Sequence, residues 1–188
     1  MTSCLVINWQ NYKKIILVRV NTDHLLEQSW WSQLNSRPLF EQAKNDCNTI
    51  ARYTEDAFIK AICTDKNKRF KLVYKPDPET FYLKIALVEL VPSKPFLSAA
   101  ETGAGFVVPG ASLLTMANKG CVAIEIKLVD SMTGRVLAMA TDRERGDPAL
   151  IDLAGLTWYR HAETSIDNWA AEFIKVANSP QGIQGDRK

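Results

Sequence analysis

Histidine is scarce in this 188-residue sequence, which holds only His24 and His161, and cysteine occurs four times. Neither histidine has a second metal-ligand residue type at ligand spacing, so each reads as a surface or cap residue. Cys4, Cys47, Cys63 and Cys121 form no C-x-x-C pair or other metal-ligand spacing. Cys47 and Cys63 fall in one expected helix, about 24 Å apart at ~1.5 Å per residue, which is beyond disulfide reach. An intrachain bridge would have to use Cys4 or Cys121, and small buried thiols are the simpler expectation. H-E-x-x-H and G-x-S-x-G are missing, and so is any apolar run of 18 or more residues. No basic stretch followed by an apolar core opens the chain, so no signal peptide is expected within it. The net charge of +2 announces no nucleic acid.

What is present is the composition of an ordinary globular domain, 46% apolar and 23% charged. "KKIILVRV", Lys13 to Val20, reads as a buried strand. From Pro38 to about Cys63, Cys47, Ile50, Thr54, Phe58 and Ile62 recur at helical spacing and make one apolar face. "FKLVYKP" and "TFYLKIALVEL" read as strands, and the short "DPE" link between them predicts a hairpin. In "CVAIEIKLVD", Val122, Ile124, Ile126 and Leu128 share one face, while Ala123, Glu125 and Lys127 share the other. "SMTG" turns the chain, and "RVLAMATDRERG" returns as its partner. Ile166, Trp169, Ala170, Phe173 and Ala177 stripe a last helix, with Thr164 or Ser165 as its cap. The expected architecture is α+β: a mostly antiparallel sheet of about five strands with two main helices packed on one face. One domain spans 1–178, and a polar tail, expected to be disordered, spans 179–188.

The uncharged stretch from Glu101 to Gly120, "ETGAGFVVPGASLLTMANKG", does not fit a phosphate loop. Val108 stands where G-x-G-x-x-G needs its third glycine, and no Gly-Lys-Ser/Thr follows. It reads as a crossover that doubles as a docking surface, with Phe106, Val107, Val108, Leu113, Leu114 and Met116 as partner or ligand contacts. Glu125, Asp130, Asp142 and Glu144 read as solvated charges. Lys84, Lys127, Arg143 and Arg145 read as members of a surface ion-pair lattice. No catalytic residue, metal site or cofactor is expected, and the chain is not expected to be an enzyme.

The series "NWQNYKKIILVRV", "PSKP…GAGFVVPG", "VAIEIKLVDSMTGRVLA" and "LTWYRHAETSIDNWAAEF" resembles the bacterial Domain of Unknown Function 3313 family. The resemblance runs from about Val6 to Ala177 and brings no established catalytic residues. It implies a Gram-negative periplasmic protein, outer-membrane-anchored in its precursor through a lipidated cysteine. "MTSC" looks like the end of a lipobox with Cys4 as the lipid-bearing residue. A shortened or misplaced start, with Cys4 an ordinary residue, is preferred, because Cys4 leaves too short a tether. The function this implies is a non-enzymatic interaction module, a component of a secretion or envelope-assembly complex. Its partners would be other envelope proteins or further copies of itself, with membrane attachment only through a lipid anchor. A domain for small apolar ligands or lipids is the alternative, and a hydrolase ranks last.

Overall fold

The computed structural model describes residues 9–26, 37–91, 121–145 and 160–179. Its elements are β1 (Lys14–Leu17), α1 (Asp23–Leu26), α2 (Arg37–Thr64), β2 (Lys71–Leu72), β3 (Thr80–Val91), β4 (Cys121–Asp130), β5 (Val136–Arg145) and α3 (Arg160–Ala177). Burial along β3 sets the two sides of the sheet. Phe81, Leu83, Ile85 and Leu87 are buried, whereas the intervening Tyr82, Lys84 and Ala86 are not. A register shift between Leu87 and Glu89 then returns Leu90 to the buried side. Opposite this row stand Leu128, Ile126, Ile124 and Val122 of β4, in the alternation expected from the sequence.

The fold is α+β, a five-stranded sheet in the order β2-β1-β3-β4-β5 with two main helices. The long ladders, β3 with β4 and β4 with β5, are antiparallel, and the short β1 is parallel to both β2 and β3. The expected hairpin of the second and third strands is therefore wrong, because β1 lies between them. Lys71 and Val73 donate their backbone N–H groups to Lys13 and Ile15, which occupies the edge that a hairpin would use. Parallel neighbours ordinarily need a crossover of a dozen or more residues. Here β2 has only two residues, so the link through Pro76 and Pro78 reaches back to Thr80 without a helix.

The stripes of the two long helices meet the buried row of the sheet in one cluster. Cys47, Ile50, Phe58 and Ile62 of α2 join Ile166, Trp169 and Phe173 of α3. Thr54 is fully buried, and its hydroxyl donates to the Ile50 carbonyl at 2.8 Å, so no polar atom there lacks a partner. Asp65, just beyond α2, accepts hydrogen bonds from the Asn67 and Arg69 backbone and from Asn178 Nδ2, which ties the C-terminal ends of the helices together. Phe70 sits at the centre of the packing. Its ring meets Phe81 edge-on at 5.2 Å and stacks on Phe173 at 6.3 Å. Cys47, Cys63 and Cys121 are free thiols. Among the described residues no helix is long and apolar enough to cross a membrane. The tail expected from 179 lies outside the described residues from 180 onward.

Phe70→Ala removes a buried ring with partners on both layers, and is expected to cost about 3–5 kcal/mol in urea unfolding followed by tryptophan fluorescence. Tyr74→Ala, four residues on and exposed, should change stability by no more than about 0.5 kcal/mol. Equal effects of the two would contradict the assigned centre of the core.

Candidate interaction surface

Two neighbouring strands of unlike side-chain size shape this surface. Ile124, Ile126 and Leu128 stand on the helix-facing side of β4, and their β5 partners are Asp142, Ala140 and Ala138. Alanine methyl groups cannot fill the layer beneath a helix at the density that branched chains reach. An open apolar groove of about 220 Å³ remains, bounded by those residues and by Trp169, Phe173 and Val176 of α3.

Polar bonds hold α3 over the groove. Trp169 Nε1 donates to Asp142 at 2.7 Å, and Ser165 Oγ donates to Glu144 at 2.7 Å. Asp142, exposed as expected, and the half-buried Glu144 are thus also clasps for the helix. Ser165 and Thr164 are not caps, because α3 begins at Arg160. On the opposite side of the sheet Arg143 grips Glu89 through two bonds, at 2.5 and 2.8 Å. Lys127 pairs with Glu125 on that side, so two of the four cations expected in an ion-pair lattice, Arg143 and Lys127, are paired there. The bond from Arg143 holds the Glu89 carboxyl below its ordinary pKa.

The turn joining β4 to β5 is built on Asp130. Its carboxylate accepts from Met132 N, Thr133 N and Thr133 Oγ1, and from the Tyr12 hydroxyl at 2.6 Å. Gly134 completes the turn at φ +70°, where a side chain would be strained. Led by the Tyr12 bond, these donors hold the Asp130 pKa down to about 2. This carboxylate too was expected as a solvated charge.

β5 is the outer strand, and no described strand pairs with its free side. Its second half, "DRER", is charged, as edge strands commonly are. Its first half, Val136 to Thr141, carries no charge, and Val136 and Met139 are 48% and 56% exposed. The uncharged half of the edge coincides with the groove.

Among the described residues, Cys121 and His161 form a thiol–imidazole grouping. Burial, then the Glu89 carboxylate, push the Cys121 thiol up to about 11, so it stays protonated at neutral pH. His161, expected at the surface or as a cap, is half-buried in the first turn of α3, with its ring bonded to the Cys121 backbone. Burial lowers its pKa, and its Nε2 is buried without a partner. Among the described residues no group of three or more metal-ligating side chains occurs.

Phe106, Val107, Val108, Leu113, Leu114 and Met116, the expected contacts, and Cys4, the alternative lipid site, lie outside the described residues. The groove and the free edge of β5 went unread from the sequence. Their signal was present in "AMATDRER", where every second residue from Ala138 is small or acidic while the facing positions of β4 are branched.

The model of the family described as "Protein of unknown function (DUF3313)" matches residues 6–173. The chain belongs to this family. No curated protein matches it. Among solved structures it is similar to PelC dodecamers from Paraburkholderia phytofirmans. One is 11% identical with a TM-score of 0.44, covering 91% of this chain and 90% of that one. The other is 11% identical with a TM-score of 0.40, covering 86% of each chain. Protein XCC0632 from Xanthomonas campestris is 12% identical with a TM-score of 0.44, covering 87% of this chain and 81% of its own. Likenesses this distant carry no argument about function.

The Asp130 turn makes stability depend on acid. A carboxyl whose folded pKa is about 2, against an ordinary 3.8, stabilises the fold fully above the unfolded value. That contribution disappears as pH falls through the folded value. Asp130→Asn is therefore expected to lower the urea midpoint at pH 7, and the gap from wild type should close between about pH 5 and pH 2. Urea titrations over that range check it, and a pH-independent gap would contradict the role given to this carboxylate.

Proposed function

We propose that this chain is a non-enzymatic interaction module of the cell envelope, which receives an extended apolar segment of a protein partner along β5. The observation that carries this reading is the coincidence of an uncharged free strand edge, Val136–Thr141, with the apolar groove beneath α3. Strand addition draws affinity from main-chain hydrogen bonds and specificity from pockets for alternate side chains. Here β5 offers the main-chain edge, and the space above Ala138 and Ala140 offers the pocket.

The raised pKa of the Cys121 thiol and the buried Nε2 of the half-buried His161 support the non-enzymatic part. The envelope part rests on the family resemblance in the sequence. A small apolar ligand is the second reading, favoured by the lining of the groove. Its volume of about 220 Å³ falls below the roughly 300–1,000 Å³ of pockets that enclose drug-sized ligands. The open side of the groove also suits a peptide that continues past it.

A photo-crosslinking residue placed at Met139 tests the reading in cells that produce the full-length precursor. A discrete protein adduct is expected from Met139 and none from Lys60, on the exposed side of α2. Ala140→Arg, which puts a charge into the groove, should reduce the adduct about tenfold or more without changing the melting temperature. Equal labelling from both positions, or an adduct indifferent to Ala140→Arg, would overturn it. A bound lipid seen by native mass spectrometry and lost in that variant would favour the second reading.

A further inference from the structure

The edge of the sheet opposite β5 has the strongest charge asymmetry in the chain. Between residues 66 and 75 stand Lys66, Lys68, Arg69, Lys71 and Lys75 and no carboxylate. These ten residues carry +5 in a chain of net +2, so the rest of the chain carries −3. They wrap the outermost strand, β2, whose one strand neighbour among the described residues is β1.

The four lysines are exposed and have no ionic partner among the described residues. The carboxylates near them are already engaged. Asp65 caps its own turn and holds Asn178. Asp77 binds Lys14 at 2.6 Å and Thr80 at 2.7 Å, and Glu79 binds Lys13 at 2.7 Å. Arg69 belongs to the interior instead, where it donates to the Tyr12 carbonyl at 2.7 Å and lies 4.4 Å from the Phe70 ring centre. Between Lys71 and Lys75 stands Tyr74, 98% exposed. A phenol ring in water forfeits its apolar area, whereas at a lipid headgroup layer its apolar body and polar tip are both satisfied.

We propose that the β2 edge is a contact for an anionic bilayer surface, with Lys66, Lys68, Lys71 and Lys75 set against lipid phosphates and Tyr74 at headgroup depth. Protein interfaces are depleted in lysine, which argues against a protein occupant. Single-stranded nucleic acid is held in grooves that stack successive bases on several aromatic rings, and among the described residues this edge has one exposed ring, Tyr74. β2 and β5 bound the sheet on opposite sides, four strand spacings or roughly 19 Å apart. The membrane contact therefore stands or falls separately from the β5 reading, and it adds an attachment beyond a lipid anchor.

Co-sedimentation of the purified chain with vesicles decides the matter. Binding is expected to vesicles of phosphatidylcholine with one-third phosphatidylglycerol, not to pure phosphatidylcholine, and is lost in 1 M salt, where charges are screened within about 3 Å. Each lysine near such a surface contributes about a fivefold factor, so Lys66→Gln/Lys71→Gln/Lys75→Gln should lower partitioning roughly 100-fold. Melting temperature should hold, because these side chains have no partner among the described residues. Tyr74→Ser should weaken binding less and leave its salt dependence intact. No preference for anionic vesicles, or unchanged partitioning of the triple variant, overturns the proposal. So does tighter binding to polyuridylate than to the vesicles, which would make the edge a nucleic-acid site.

Discussion

Five aromatic rings in mutual contact fix where everything else in this fold stands. Tyr12, before β1, meets Phe81 of β3 at 5.9 Å; Phe81 meets Phe70, before β2; Phe70 stacks on Phe173 of α3, which meets Phe58 of α2 at 5.9 Å. The series joins three strand regions to both long helices. Tyr12 extends it by its hydroxyl to Asp130, at the turn into β5. Buried aromatic pairs contribute about 0.5–1.5 kcal/mol beyond their area, so a connected set is a stiff joint as well as a large apolar mass. Both proposed surfaces depend on it. Phe70 holds the start of β2 and so presents the lysine edge, while Phe173 holds α3 at the height that leaves the groove open.

Periodic elements were legible in the sequence because their signal is local. The α2 stripe and the alternation of β4 needed only side-chain spacing, and the turn at Gly134 needed only its residue types. The position of β1 between β2 and β3 was not legible, because strand neighbours are chosen by pairings far apart in the chain. A short link between two strand-like runs ordinarily signals a hairpin, and here the brevity of β2 allowed a parallel return instead. The roles of Asp142 and Glu144 were hidden for a related reason. On a lone strand an acid at every second position reads as a wet face, and only the arrival of Trp169 and Ser165 from α3 gives Asp142 and Glu144 their partners. The site expected at 101–120 rested on apolar composition without periodicity, the weakest of these signals.

The composition of β5 answers a conflict between packing and exposure. Leucines at 138, 140, 142 and 144 would fill the space under α3, but would also give an outer strand the long apolar edge that invites aggregation. The observed residues divide the strand. Asp142 and Glu144 secure the helix by hydrogen bonds, so α3 stays docked without a wholly apolar β5. Arg143, bound to Glu89 on the other side, fixes the charged half of the strand to β3. Recognition is thereby confined to the short uncharged half, where a partner must supply both a strand and apolar side chains of the right parity.

The same division of labour appears at the far edge, with charge in place of apolar area. Lys13 and Lys14 are spent on Glu79 and Asp77, bonds that fasten β1 to the start of β3. Had those carboxylates been free, they would have cancelled much of the field of the neighbouring lysines. Pairing them with β1 leaves Lys66, Lys68, Lys71 and Lys75 at the rim without a carboxylate partner among the described residues, while Arg69, the cation best suited to a buried site, is used inside. Lysine suits the outer position for the converse reason: a strongly hydrated point charge on a flexible stem gains from a diffuse layer of phosphates without needing one fixed geometry. The sheet thus carries two edges of opposite physical character, and the aromatic joint between them lets each be shaped without disturbing the other.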